Sequence, residues 1–284
     1  MAVCALVWRA DPGWGILNVR VSLPMYNLPE MEAANEAFWA ALQVELARLG
    51  VYGPDALDFT GKPVPVAIPP DTLLTQVCGW PLQTIYAGQA TILGVPVYNA
   101  PYCEGPYHAG IFIVRDDAPY ATLADLRGCR FVFNSINSNS GMNLPRRALA
   151  GIGATAPFFA SCIETHSHPA NIERVTDGEA DATCVDCVTY AFIRRYRPAV
   201  ALKLRVLAAT QSTPALPFVT ASSTGPGLRA ALTAALIAVA RAPEWAAIRG
   251  GLLLRDIVPA STVDYTTQLS LTTEAEQLGY PTLL

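Results

Sequence analysis

Charge is what this sequence has least of. Asp, Glu, Lys and Arg make up 15% of the 284 residues, 19 basic against 23 acidic, for a formal net charge of −4. Nowhere do Lys and Arg form a run, so the basic stripe that grips nucleic acid or an anionic bilayer is missing. Nucleic acid is set aside as a partner. Long apolar runs are scarce too. The most apolar stretch, Ala230 to Ala240, lies between Arg229 and Arg241 and falls short of the ~18–20 residues of a bilayer span. No stable membrane insertion is expected. Met1 to Trp8 is apolar, but Arg9 and Asp11 interrupt it and no basic segment precedes it, unlike a secretory signal. Cys4 lies too near the start to be a lipoprotein cysteine. The expected location is the cytoplasm, or the periplasm if the true start lies upstream.

Recognisable catalytic motifs are also absent. The chain has no Gly-x-Ser-x-Gly elbow, no His-Glu-x-x-His helix and no Gly-x-Gly-x-x-Gly opening. No residue is therefore assigned a catalytic role, and no cofactor is expected. The seven cysteines (Cys4, Cys78, Cys103, Cys129, Cys162, Cys184, Cys187) are an odd, scattered set in a large chain, unlike a disulfide framework. Cys184-Val-Asp-Cys187, with His166 and His168 upstream, raises a His₂Cys₂ zinc site. Cys184 falls within an alternating strand, however, so the two thiols need not converge, and no second such pair exists. The expectation is a soluble, reduced protein without metal.

What the sequence does have is a core and an alternation. Hydrophobic residues reach 52%, enough for a large domain or two coupled lobes. Strands are expected at Asn18 to Leu23, Val64 to Ile68, Thr91 to Val97, Ala109 to Val114, Arg130 to Phe133, Phe158 to Ile163, Asp181 to Val185 and Leu204 to Ala209. Between them come helical patterns: Glu30 to Leu49 closed by Gly50, a helix opened at Pro69-Pro70-Asp71, a turn capped by Thr122, and helices at Gly141 to Ala150, Ser167 to Gly178 and Val188 to Tyr196. Ala230 to Arg241 and Thr262 to Leu278 complete the set. Such alternation implies an α/β fold with largely parallel sheets. Asn99 to Pro106 and Arg197 to Lys203 read as crossings between lobes.

Three segments place polar groups where a strand gives way to a helix. Ser138, Asn139 and Ser140 stand before Gly141, where free N–H groups and the helix dipole favour an anion. Ser167 and His168 repeat that placement, and Asp186 does so a third time. Each has a plainer role available, since Ser138, Ser140, Ser167 or Asp186 can simply cap the helix behind it. Tyr26, Trp80 and Tyr107 stand near strand ends and could line a cleft or fill the core.

Taken in order, Leu23-Pro-Met-Tyr-Asn-Leu-Pro-Glu, Thr122-Leu-Ala-Asp-Leu-Arg-Gly, Phe133-Asn…Asn139-Ser-Gly, Ser167-His168 and Gly178-Glu-Ala-Asp-Ala…Asp186 resemble the phosphate/phosphonate-type solute-binding proteins, the PhnD-like group. The resemblance spans roughly residues 18 to 270. It implies the type 2 periplasmic-binding-protein fold: two Rossmann-like lobes with mixed, mostly parallel sheets, joined by a two-segment hinge. Residues 1–105 and 204–284 would form one lobe and 106–203 the other. It also implies a small anion such as phosphate or phosphonate in the cleft, held by Ser138, Asn139, Ser140, Ser167, His168 and Tyr26. Tyr107 and Asp186 match by position. The role would be ABC-type uptake, with an ABC permease as the partner, or ligand sensing. Asn139 departs from the hydroxyl usual at its place in the group. The alternative on this scaffold is an enzyme, chorismate-dehydratase-like or pyrimidine-precursor-synthase-like. The two helix N-termini at Ser138–Gly141 and Ser167–His168 are expected to face one another across the cleft.

Overall fold

The computed structural model describes residues 19–283; Met1 to Trp8, Cys4 and Asn18 lie outside the described residues. In chain order the strands are β1 (Arg20–Val21), β2 (Thr72–Gln76), β3 (Ala90–Tyr98), β4 (Cys103–Glu104), β5 (Tyr107–His108), β6 (Gly110–Arg115), β7 (Arg130–Phe133), β8 (Ser161–Glu164), β9 (Ala182–Asp186), β10 (Leu204–Ala209), β11 (Thr213–Pro214), β12 (Phe218–Ala221) and β13 (Leu254–Val258). The helices are α1 (Glu32–Arg48), α2 (Gly79–Gln83), α3 (Leu144–Gly151), α4 (His168–Thr176), α5 (Cys187–Tyr196), α6 (Pro198–Ala201), α7 (Pro226–Arg241), α8 (Ala246–Gly251) and α9 (Thr267–Gln277).

The strands form two five-stranded sheets, β1-β2-β12-β3-β13 and β10-β6-β9-β7-β8, and a small ribbon, β11-β5-β4. Both sheets are mixed. In the first, β1, β2 and β3 run one way and β12 and β13 the other. In the second only β6 is reversed. The ribbon carries both crossings: β4 and β5 lead from β3 to β6, and β11 leads from β10 to β12.

Local chemistry explains most elements. In α1 the buried Phe38, Leu42 and Leu46 fall on one stripe, as helical spacing requires. Gly50, at φ +74, then lets the chain turn back, with Val51 N donating to Leu46 O at 3.0 Å. Strand β3 is apolar and its second half is buried, as befits a strand covered on both faces. In the second core Phe131 is fully buried and stacks on Phe159 with centroids 4.4 Å apart. Burying each such ring contributes about 2–3 kcal/mol.

Three expectations are corrected. The strand at Val64 to Ile68 and the helix after Pro69 exchange character: the strand is β2, and Val64 to Ile68 is irregular. Pro65 denies that stretch a ladder donor, and Val66 is exposed. Every residue of β2 is buried, while Asp71 takes an ion pair with Arg20 at 3.0 Å instead of capping a helix. The second crossing is not at Arg197 to Lys203. Helix α6 occupies it, and β10 pairs with β6 inside the second sheet, so residues 204–209 do not return to the first. The crossing follows β10, through β11. The carboxyl-terminal stretch also departs from the expected first lobe, since Ala275, Tyr280 and Leu283 pack into the core that holds Phe112 and Phe131. Among the described residues no single helix is long and apolar enough to cross a membrane.

Candidate functional site

Parallel strands β7, β8 and β9 all end at one edge of the second sheet. Each gives way to a helical start at that edge, the position where open α/β sheets place ligands. After β7 the chain makes a single π turn, Asn139–Asn143, with Ser138 as its cap; such turns often mark functional sites. After β8, His166 adopts φ +63 and swings the chain so that Ser167 caps α4. After β9, Asp186 caps α5 directly.

These ends meet in a cavity of about 120 Å³. Its second-sheet wall is Asn134, Ser138, Ser140, Ser167, His168 and Asp186; opposite stand Pro24 to Leu28, Pro63, Val64 and Cys78, which flank β1 and β2. No Lys or Arg is among the lining residues. The two serine-bearing ends do not face one another across the cleft as expected. They lie side by side on the same sheet, with Ser140 Oγ and His168 Nε2 3.1 Å apart, because β7 and β8 are adjacent parallel strands.

The caps are real, and they leave capacity over. Ser138 Oγ accepts from Gly141 N at 3.0 Å, and Ser167 Oγ accepts from Ala170 N at 3.2 Å. Each hydroxyl can still donate its own proton. Asp186 Oδ1 accepts from Val188 N at 2.8 Å and Thr189 N at 3.0 Å. Gly141 is required by this packing: a Cβ there would stand 1.9 Å from Asn134 Oδ1.

Behind Asp186 stands His108, its Nδ1 2.6 Å from Asp186 Oδ2. This is an ion-pair contact rather than an aligned hydrogen bond, since neither atom finds a well-directed partner. Burial alone pushes the imidazole down, but the Asp186 charge and contact outweigh it and hold His108 above its ordinary value. Burial likewise pushes Asp186 up, and the His108 charge, with the Thr189 N–H, brings it below the usual carboxylate range. Both directions favour the charged pair, in which the two charges offset one another. His168 differs. Burial is the main influence and pushes it down to about 4, with Asp186 opposing and His108 reinforcing. It is neutral at pH 7, and a cationic ring is confined to stronger acid.

Several buried polar atoms at the cavity have no partner: Tyr26 Oη, Asn134 Oδ1 and His168 Nδ1. An unpaired buried polar group is costly. Tyr26 packs edge-on against Tyr98, with centroids 5.4 Å apart, and its phenol is raised by burial first and Asp186 second.

Of the residues singled out from sequence, Tyr26, Ser138, Ser140, Ser167, His168 and Asp186 line this one cavity. Asn139 and Tyr107 do not. Asn139 turns its amide to Thr213 Oγ1 and Asn143, both at 3.0 Å, and its backbone N–H donates to Cys78 Sγ at 3.3 Å. Tyr107, 37% exposed, lies on β5 away from the lining. Trp80 donates to Thr272 Oγ1 at 3.0 Å. Cys184 and Cys187 belong to different core clusters, and among the described residues no group of three or more His, Cys, Asp or Glu is placed to hold a metal. Sequence reasoning missed Asn134, Cys78 and His108. Asn134 opens the polar loop after β7 and was legible as such. Cys78 was hidden by the misplaced strand at β2, and His108 acts from behind, through a contact no local pattern announces.

Comparison with known proteins adds to this geometry. A family described as ABC transporter, phosphonate, periplasmic substrate-binding protein matches residues 85–265. No curated protein matches. Among solved structures, the binding protein component of an ABC phosphonate transporter (PA3383) from Pseudomonas aeruginosa is 13% identical, with TM-score 0.70, over 92% of this chain and 87% of that one. PhnD1 from Prochlorococcus marinus (MIT 9301), in complex with methylphosphonate, is 16% identical with TM-score 0.66, over 91% of this chain and 98% of that one. XAC2383 from Xanthomonas citri, bound to ATP, is 16% identical with TM-score 0.64, over 92% and 98%. At these identities the structural likeness concerns the fold.

Proposed function

The chain belongs to the family of ABC-transporter phosphonate periplasmic substrate-binding proteins, and from that premise we propose that it holds a small oxyanion, phosphonate or phosphate in type, at the edge of β7, β8 and β9. The observation that carries this is the convergence of three helix starts on one cavity whose Tyr26 Oη and His168 Nδ1 lack partners. Helix N-termini supply N–H donors and partial positive charge, and Ser138, Ser140, Ser167, Tyr26 and neutral His168 add uncharged donors. With Asp186 neutralised by His108, the cavity wall carries no net charge that would repel an anion.

The remaining parts follow from the family. The protein works outside the cytoplasm, in the second of the two locations weighed from sequence, and hands its ligand unchanged to an ABC permease. The second sheet moves toward the first about the β11-β5-β4 ribbon when ligand bridges them, because contacts made only in the closed form shift the population toward it. No residue is assigned a chemical step.

Calorimetry with methylphosphonate, inorganic phosphate and small carboxylates tests the ligand class. Each charge-assisted hydrogen bond contributes about 1.5–3 kcal/mol, so replacing both Ser138 and Ser140 by Ala weakens the best anion by roughly two to four powers of ten. A neutral compound as the best ligand, or a double variant that binds like wild type, would sink the proposal. Recovery of a new mass after incubation would favour an enzyme instead.

A further inference from the structure

The six cysteines of the described residues are free thiols, yet two of them meet. Cys103 Sγ and Cys187 Sγ lie 3.5 Å apart, the one thiol–thiol contact among the described residues. Cys103 sits on β4, in the first crossing between the sheets, and is half-buried. Cys187 is buried at the first position of α5, directly after the cavity residue Asp186. Backbone contacts hold the two segments in place: Cys103 pairs with His108 across the ribbon, Cys187 N donates to Ala109 O at 3.2 Å, and Cys187 Sγ donates to Tyr102 O at 3.7 Å.

We propose that Cys103 and Cys187 form a reversible disulfide that fastens the first crossing to the cavity-bearing helix α5. Sulfurs already in van der Waals contact need to close by only ~1.5 Å to reach bonding distance, within the range of side-chain rotation. The oxidant is an external disulfide, small or protein-borne. The half-buried Cys103 is the sulfur it can reach. Its thiolate attacks, giving a mixed disulfide and releasing one thiolate. Cys187 then attacks the Cys103 sulfur and displaces the second external thiol, its proton passing to that departing sulfur. Two protein thiols are oxidised and one external disulfide is reduced to two thiols. Cys187 cannot start the exchange: it is buried, and the hydrogen bond with Cys103 and then its burial hold its thiol well above the ordinary range. In an oxidising compartment the bond persists. Its effect is mechanical. With Cys103 tied to α5, the part of the first crossing free to flex shrinks to residues 99–102.

The test uses the full chain, folded and ligand-free, incubated with oxidised glutathione, then blocked with iodoacetamide and mass-mapped. The expected result is an intact mass lower by two hydrogens, two fewer alkylated cysteines, and one cross-linked peptide joining Cys103 to Cys187. Cys103→Ser, at a half-buried position, keeps the fold and loses the cross-link; dithiothreitol restores both thiols in wild type. A stable glutathione adduct on Cys103 with no internal link, a link between other cysteines, or no mass change would overturn the proposal.

Discussion

The low value of His168 makes acid stability a direct readout of the candidate site. Its imidazole ordinarily titrates at 6.5 and is held at about 4 in the folded chain, by burial above all. A histidine kept neutral by folding binds its proton more readily when unfolded. Stability is therefore fully present above pH 6.5 and is lost as pH falls from 6.5 toward 4, at up to ~1.36 kcal/mol per pH unit. The whole interval corresponds to ~3 kcal/mol. That figure is an upper bound: Nδ1 is sealed from solvent, but the residue keeps some surface open to the cavity. Other groups intrude only at the lower edge of this window, where the carboxyl of Glu30, lowered by its hydrogen bond with Arg197, begins to lose its contribution. The raised His108 contributes stability that is constant below 6.5 and is lost only as pH rises through its folded value. The lowered carboxyls of Asp181, Asp186 and Asp58 lose theirs only below the ordinary carboxylate value. Urea titrations at about pH 7, 6, 5 and 4.5 should show wild type losing ~2 kcal/mol or more. His168→Gln, with no titrating ring, should stay nearly flat. Parallel loss in the two proteins would refute the account, and so would a wild type that does not weaken at all.

Three further outcomes are expected. His108→Ala strands the buried Asp186 charge and should cost about 3–5 kcal/mol in urea unfolding, with Asp186→Asn in the same chain recovering much of it; a cost near zero would mean the pair is not charged. Gly141→Ala drives a methyl into Asn134 Oδ1, 1.9 Å from the ideal Cβ position, and should cost about 1–3 kcal/mol and at least ~10-fold in anion affinity; unchanged values would show that Asn134 yields freely. Small-angle scattering should show a smaller radius of gyration at saturating methylphosphonate, and an identical radius would count against closure about the ribbon.

Much of this site could be read before folding because strand-to-helix transitions leave a local signature. Ser138, Ser167 and Asp186 stand where apolar runs end and helical spacing begins, and the N-cap preference names them. What joins them could not be read so. Ser140 and His168 meet because β7 and β8 are neighbours in a sheet, a pairing that no spacing within the chain specifies. Asn139 sat in the same polar cluster as Ser138 and Ser140, yet the π turn rotates it toward Thr213, away from the cavity. In the fold, the reversed strands β12 and β13 and the exchange at β2 escaped notice. Their sequences are short and mix apolar with polar residues without clean alternation, as in Thr72-Leu-Leu-Thr-Gln76 and Leu254-Arg-Asp-Ile-Val258, which leaves strand and helix equally served. The position of β10 escaped for a different reason, since a strand is visible in sequence but its sheet is not.

Strand β12 also sets the order in which this chain can become a protein. It lies between β2 and β3, so the first sheet cannot close until Phe218–Ala221 has emerged, some 120 residues after β3 ends. All five strands of the second sheet lie between Gly110 and Ala209 and can pair while β2 and β3 still wait, their apolar edges open. The early-made amino-terminal strands are thus the last to be satisfied, and during synthesis they are the segments most in need of protection from pairing with another chain.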